Sequence, residues 1–243
     1  MDEGTARSPI PDRSPSDRIW LDLYEQHPAL SGSAGPIGEA YRLLRGVLSS
    51  DHQVLVCGNG GSASDSEHIA GEMAKPCAIN RPLGADMQAA LEAAGDDGYL
   101  ARHLQHGFAV IPLVSQAALI TAVANDQGGD LIFAQQVIAY GRRGDLLWAL
   151  STSGDSPSVL HALRTAQAIG MHTLGLSGPT GGAMAPLCDT VVRLPGETVS
   201  EIQHSHQLVY HALCMAIEAD QFGSGPAATT TTADDGSTGR RGP

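Results

Sequence analysis

The chain has 243 residues, 42% of them hydrophobic, which is enough for one large α/β domain with a sizeable core. Lys plus Arg number 14 against 26 Asp plus Glu, a formal net charge of −12, and aromatics make up only 4%. That balance excludes a polyanion-binding surface, because nothing supplies the phosphate-neutralising charge that nucleic acid requires, whereas a single phosphate can still be bound by backbone amides and hydroxyls.

In chain order, residues 1–17 are rich in Pro, Ser, Asp and Arg and read as a disordered tail without signal-peptide character. Helical spacing predicts a pair of helices over 18–29 and 36–48. The apolar run 52–57 ends in glycines, as a buried parallel strand does, and a helix is expected over 63–74. Residues 76–107 read as a loop and a helical excursion near one sheet edge. Further strands are expected at 108–114, 145–150, 171–176 and 189–194, mostly separated by helices, and a last helix at 200–222. Residues 223–243 read as a second disordered tail. Alternating strand and helix implies one domain over 18–222, a doubly wound parallel sheet flanked by helices. Cysteines 57, 77, 188 and 214 form no C-x-x-C pair, which speaks against a disulfide framework and for a reducing compartment. No run of about 18 apolar residues predicts a membrane span, so the expectation is a cytoplasmic protein.

Four constellations carry chemistry. Cys57-Gly58-Asn59-Gly60-Gly61-Ser62 lies between a strand and a helix, where glycines turn amides toward a ligand and the helix start adds positive character. Its spacing is neither the dinucleotide fingerprint nor a P-loop. Ser151-Thr152-Ser153-Gly154-Asp155-Ser156-Pro157 repeats the strand-to-helix placement with four hydroxyls in six residues. Ser156 there fits a helix N-cap and Pro157 the first turn. His68 and Glu72 lie four apart on one helix face, a spacing suited to a surface pair or to metal ligands. On the last helix, the near two-turn spacing favours His204 with His211, while the long side chain of Gln203 also reaches toward His211. Solvated surface positions are the simplest reading of His204 and His206.

Together, CGNGGS…EHIAGE, VANDQ, LSTSGDSPSVLHALRTAQAIGMHTLGLSG and EIQHSHQLVYHALC resemble the phosphoheptose isomerases of the sugar-isomerase (SIS) superfamily, over about residues 30–222. The resemblance implies a homotetrameric SIS fold with an N-terminal helical pair. It also implies interconversion of sedoheptulose 7-phosphate and D-glycero-D-heptose 7-phosphate in heptose biosynthesis. Carried over position by position, it implies Glu72 as the base and His211 as the complementary acid/base. Zinc, one per subunit, would be held by His68, Glu72, Gln203 and His211. Ser62, Ser151, Ser153 and Ser156 correspond to phosphate-contacting hydroxyls. Asn59, Gly60, Gly61, Asn125, Asp126, Thr152 and Gln203 match or adjoin substrate-binding positions.

Two departures from the pattern stand out. Asp155 replaces the usual Asn, a carboxylate that must turn away from a phosphate or bond backbone, and Val199-Ser200 replaces the usual residues before the Gln203 motif. A tetrameric scaffold that binds a replication initiator is the non-catalytic alternative. It has no need of Glu72 and His211. An etherase acting on an amino-sugar phosphate is the catalytic alternative, against which the last-helix motif argues.

Overall fold

Val54–Cys57 (β1) is buried on both faces, as an interior strand of a parallel sheet must be. In the computed structural model, which describes residues 14–223, β1 pairs in parallel with β2 (Val110–Pro112) and with β3 (Leu146–Ser151). β4 (His172–Ser177) and β5 (Thr190–Arg193) continue the sheet in the order β2-β1-β3-β4-β5, every pair parallel. The chain steps outward from β1 to β2 and then returns to the other side of β1 as β3. The strand order therefore reverses between β1 and β3, and the loops leaving these two strands open a crevice at their carboxyl ends.

Helices cover both faces. Along β1 and β3 the side chains alternate: Val54, Val56, Leu146, Trp148 and Leu150 enter one core, while Leu55, Cys57, Leu147 and Ala149 enter the other. The first core receives α1 (Asp17–Gln26), α2 (Ala34–Leu48), α3 (Gly61–Ala74) and α9 (Val199–Phe222). The second receives α7 (Ile132–Tyr140) and α8 (Pro157–Ile169), with α6 (Ala117–Asp126) beside them. α9 starts with a full capping box, in which Thr198 Oγ1 accepts from Glu201 N and the Glu201 carboxylate accepts from Thr198 N.

The α/β expectation holds, with displaced ends. α1 stops at Gln26, because Pro28 disfavours helical geometry at His27 and opens a 3₁₀ turn over Pro28–Ser33. α3 begins at Gly61, inside the glycine loop and not after it. Order also begins earlier than residue 18: Ser14 and Ser16 donate to the Asp220 carboxylate, which Tyr41 also reaches. The rest of the expected tails, 1–13 and 224–243, lies outside the described residues.

Residues 76–107 resolve into two parts. One is a fully buried ion pair, Arg81 Nε to Glu218 Oε1 at 2.7 Å. Arg81 also donates to the Glu72 and Met73 carbonyls, at the C-terminal turn of α3. Glu218, on α9, accepts from the amides of Cys77, Ala78 and Ile79. The other part is an excursion of two helices, α4 (Ala85–Ala93) and α5 (Tyr99–His103), neither of which buries a residue. Its ends meet where Pro82 bridges Gln105 and His106 N donates to Arg81 O.

His206 is fully buried, against the surface reading, and neither ring nitrogen has a hydrogen-bond partner. Burial pulls its pKa down from 6.5 to about 4. The unfolded chain therefore takes up this proton near pH 6.5, whereas the fold takes it up only near pH 4. The resulting stability is complete above pH 6.5 and drains away as the pH falls toward 4, by about 3 kcal/mol at roughly 1.36 kcal/mol per pH unit. Thermal melts across that window should show this slope in the wild type, and His206→Phe should flatten it.

Candidate active site

The crevice at the β1/β3 switch point is lined by Asn59, Gly60, Gly61, Ser62, Ser151, Thr152, Ser153, Ser156 and Gln203, around a cavity of about 330 Å³. Gly58 is required by close approach, since a Cβ there would meet Ser62 Cβ and O at 2.7 Å. Gly60 holds φ +58 at the start of α3. In the facing loop Gly154 holds φ +73, and a Cβ there would sit 2.2 Å from Gly181 O. The cavity lining contains no Lys or Arg, so an anion placed here meets only neutral donors and the N-terminus of α3.

The hydroxyls are arranged to donate. Ser151 Oγ accepts from Gly154 N at 3.1 Å and Ser153 Oγ accepts from Asp155 N at 3.1 Å. Ser156 occupies the N-cap position of α8 but makes no capping bond, which corrects the cap reading. Its Oγ instead accepts from Asn59 Nδ2 at 2.7 Å, and Ser158 Oγ accepts from the same amide at 2.9 Å. The Ser151, Ser153 and Ser156 oxygens are thus each positioned by an N–H donor; Ser151 and Ser153 keep their own O–H protons for an incoming oxygen, while Ser156 Oγ also lies 3.4 Å from Ser158 Oγ. Asp155 resolves its departure from the motif by facing away: its Oδ1 accepts from Ala183 N at 2.7 Å.

Further along α3 stands a second cluster. His68 Nε2 lies 3.4 Å from Glu72 Oε1, one turn apart. His211 enters from α9, its ring centroid 4.8 Å from that of His68. Ligating atoms of His68, Glu72 and His211 all fall within 4.8 Å of one another. Two imidazoles and a carboxylate at this spacing are the donor set that zinc takes. The Cys77 thiol beside the Glu72 carboxylate is the main influence that holds its pKa below the ordinary value. Burial pushes the thiol itself up to about 12.

Gln203 lies with the glycine loop, so close that a Cβ on Gly61 would meet its Nε2 at 2.3 Å. His204, the partner that helix arithmetic favoured, is outside the cluster; it lines a separate cavity of about 600 Å³ between α1 and α9, which His211 also borders. Asn125 and Asp126 are exposed at the end of α6, bonded to each other at 2.7 Å and apart from the lining of the crevice. Sequence reasoning missed Asp65, Tyr210, Cys77 and Ser158. Asp65 lies one turn before His68 and Tyr210 adjoins His211, so helix periodicity applied around the motif residues was the available signal for those two.

The SIS domain model matches residues 87–178. A phosphoheptose isomerase of Bradyrhizobium sp. (strain ORS 278) is 38% identical over 191 residues, covering 79% of this chain and 83% of that protein. The phosphoheptose isomerase of Akkermansia muciniphila is 32% identical over 203 residues, covering 84% and 95%. Among solved structures, the phosphoheptose isomerase from Neisseria gonorrhoeae superposes with a TM-score of 0.63 at 30% identity, covering 84% of this chain and 93% of that one.

Gly61→Ala tests the crevice. The new methyl displaces the flexible end of Gln203, not backbone, so the melting temperature should hold within a few degrees. Affinity for inorganic phosphate, measured by calorimetry, should fall at least tenfold as the amide is driven into the cavity.

Proposed function

We propose that this chain, which belongs to the phosphoheptose isomerase family, interconverts sedoheptulose 7-phosphate and D-glycero-D-heptose 7-phosphate in heptose biosynthesis. The observation that carries the reading is the placement of two different sites on one helix. The N-terminus of α3 faces a hydroxyl-lined crevice, and about 9 Å further on, at 1.5 Å per residue from Ser62 to His68, begins the His68–Glu72–His211 cluster. A phosphate at one end and a reacting carbonyl at the other are then separated by a chain of several carbons.

Phosphate held by Ser62, Ser151, Ser153 and Ser156, with Asn59, Gly60, Gly61 and Thr152 completing the crevice, fixes the remote end of the sugar, and that binding energy orients the reacting end. Glu72, kept ionised by the Cys77 thiol and by Lys75, takes the proton from the carbon next to the carbonyl to leave a cis-enediol. It returns the proton to the neighbouring carbon. His211, its Nδ1 fixed by Gln207 O at 2.8 Å, moves the proton between the two hydroxyl oxygens. His68, Glu72 and His211 would hold zinc, with Gln203 as the further ligand. When bound, the metal polarises the carbonyl and enediol oxygens. Asn125 and Asp126 are read as substrate contacts.

A homotetramer is the proposed assembly. Ile19, Leu23, Leu208 and Met215 line the open 600 Å³ cavity beside His211, an apolar surface suited to a second copy. Residues 18–222 are read as one SIS unit. All four cysteines are unpaired, which supports a reducing, cytoplasmic setting. Among the described residues no helix is long and apolar enough to cross a membrane.

Ser156→Ala removes one hydrogen bond to the charged phosphate, worth about 1.5–3 kcal/mol, and should raise KM roughly ten- to hundredfold with kcat nearly unchanged. Because Ser156 makes no capping bond, its melting temperature should not move.

Glu72→Gln keeps the shape and removes the base. Turnover should drop by about 10²–10⁴-fold while sugar-phosphate affinity persists. In heavy water the wild type should place deuterium at the carbon next to the aldehyde. Wild-type exchange by Glu72→Gln would show that Glu72 holds structure or metal and moves no proton.

A further inference from the structure

Behind the cluster lies a buried chain of polar groups that the reaction does not use. Tyr210 is fully buried and Asp65 is 6% exposed. The Tyr210 hydroxyl lies 3.3 Å from Asp65 Oδ1 and 3.2 Å from His68 Nδ1. A phenol has one proton to give, and an ionised carboxylate only accepts. If Tyr210 donates to Asp65, its oxygen must accept from His68, which places the imidazole proton on Nδ1. If Tyr210 donates to His68 instead, Asp65 is left buried against an acceptor, and the His68 proton moves to Nε2.

Burial decides between the two. Asp65 is largely buried and Tyr210 is the donor that reaches its Oδ1, so turning that proton away leaves this oxygen short of a partner, which is costly. On the outer side, His68 Nε2 faces Glu72 at 3.4 Å, longer than a charge-assisted bond, and 44% of the His68 side chain is exposed.

We propose that Asp65 and Tyr210 are positioning residues that lock His68 in the Nδ1–H tautomer, leaving the Nε2 lone pair toward Glu72 and His211. This builds on the reading of His68 as a metal ligand. It explains why a bare nitrogen and a carboxylate are held face to face: the buried chain sets the outer edge to accept, and a cation completes it. A carboxylate reached through a hydroxyl thus does for His68 what a directly bonded carboxylate does for other metal-binding histidines.

The test uses the full-length chain labelled with ¹⁵N, metal-free, at a pH where histidine is neutral. Long-range ¹H–¹⁵N spectra should show wild-type His68 with its proton on Nδ1. Asp65→Leu is close in shape and removes the acceptor, so Tyr210 can donate only to His68, and the proton should appear on Nε2. Cobalt(II) affinity, followed by visible absorption, should fall about ten- to hundredfold in the same variant. Tyr210→Phe keeps the ring packing and removes the link; His68 should then populate both tautomers, and this variant decides the matter if Asp65→Leu fails to fold. A wild-type His68 protonated on Nε2, or an Asp65→Leu protein with wild-type tautomer and cobalt affinity, overturns the proposal. A purely structural role would lower the melting temperature and leave the tautomer in place. A wild-type chain that binds no cobalt overturns the metal reading, while the tautomer spectra still decide this one.

Discussion

Arg81 and Glu218 hold together the two helices on which the site depends. An isolated charge in the interior is prohibitive, but here each charge is matched and both groups make further hydrogen bonds to backbone. The guanidinium closes the orphan carbonyls of Glu72 and Met73 at the end of α3, and the carboxylate gathers three successive amides of the following loop. Glu72 therefore places its carboxylate in the His68–Glu72–His211 cluster and an anchor on its backbone. His211 stands seven residues before Glu218, about two turns along the same helix, so the pair also fixes α9 against α3 at a short lever arm from the cluster. Removing one partner would strand the other, at about 3–5 kcal/mol.

The crevice is built of neutral donors in an acidic protein. With a net charge of −12, the chain has no cationic residue among the lining groups. The serine oxygens are held by backbone amides and by Asn59, which accept no proton from them. Asp155 fits this scheme because its charge is spent on Ala183 N, at the start of the 3₁₀ turn Gly182–Leu187, where a negative group is also favoured by the aligned amides. The residue that broke the motif thus braces the loop from outside.

Much of this was legible in the sequence, for physical reasons. Continuous apolar runs closed by Gly or Ser can hardly be anything but buried parallel strands, so β1, β3 and β4 were placed within two residues. The glycine and hydroxyl loops announced themselves by residue type. What escaped was whatever depended on a partner far away in the chain. Arg81 was one arginine in a segment read as a loop and a helical excursion, and nothing local says that it lies at zero exposure opposite a glutamate on the last helix. His206 sits two residues from an exposed His204 and reads alike; only the packing of α9 on the sheet separates them. Asp65 and Tyr210 flank motif residues, but their pairing needs α3 and α9 side by side.

The closed neck at Pro82 and Gln105 bears on how the chain has been free to change. Because the neck pairs through backbone and the Gln105 side chain, the entropy of bringing its ends together is met there, whatever hangs beyond it. Lengthening such a loop costs only about 0.6 kcal/mol per doubling. The α4–α5 excursion buries nothing, so its sequence is not held to any core. Drift, insertion and deletion can run through it without disturbing the register of β2 or the arginine at its base, which makes it the part of the chain where relatives are expected to diverge in length first.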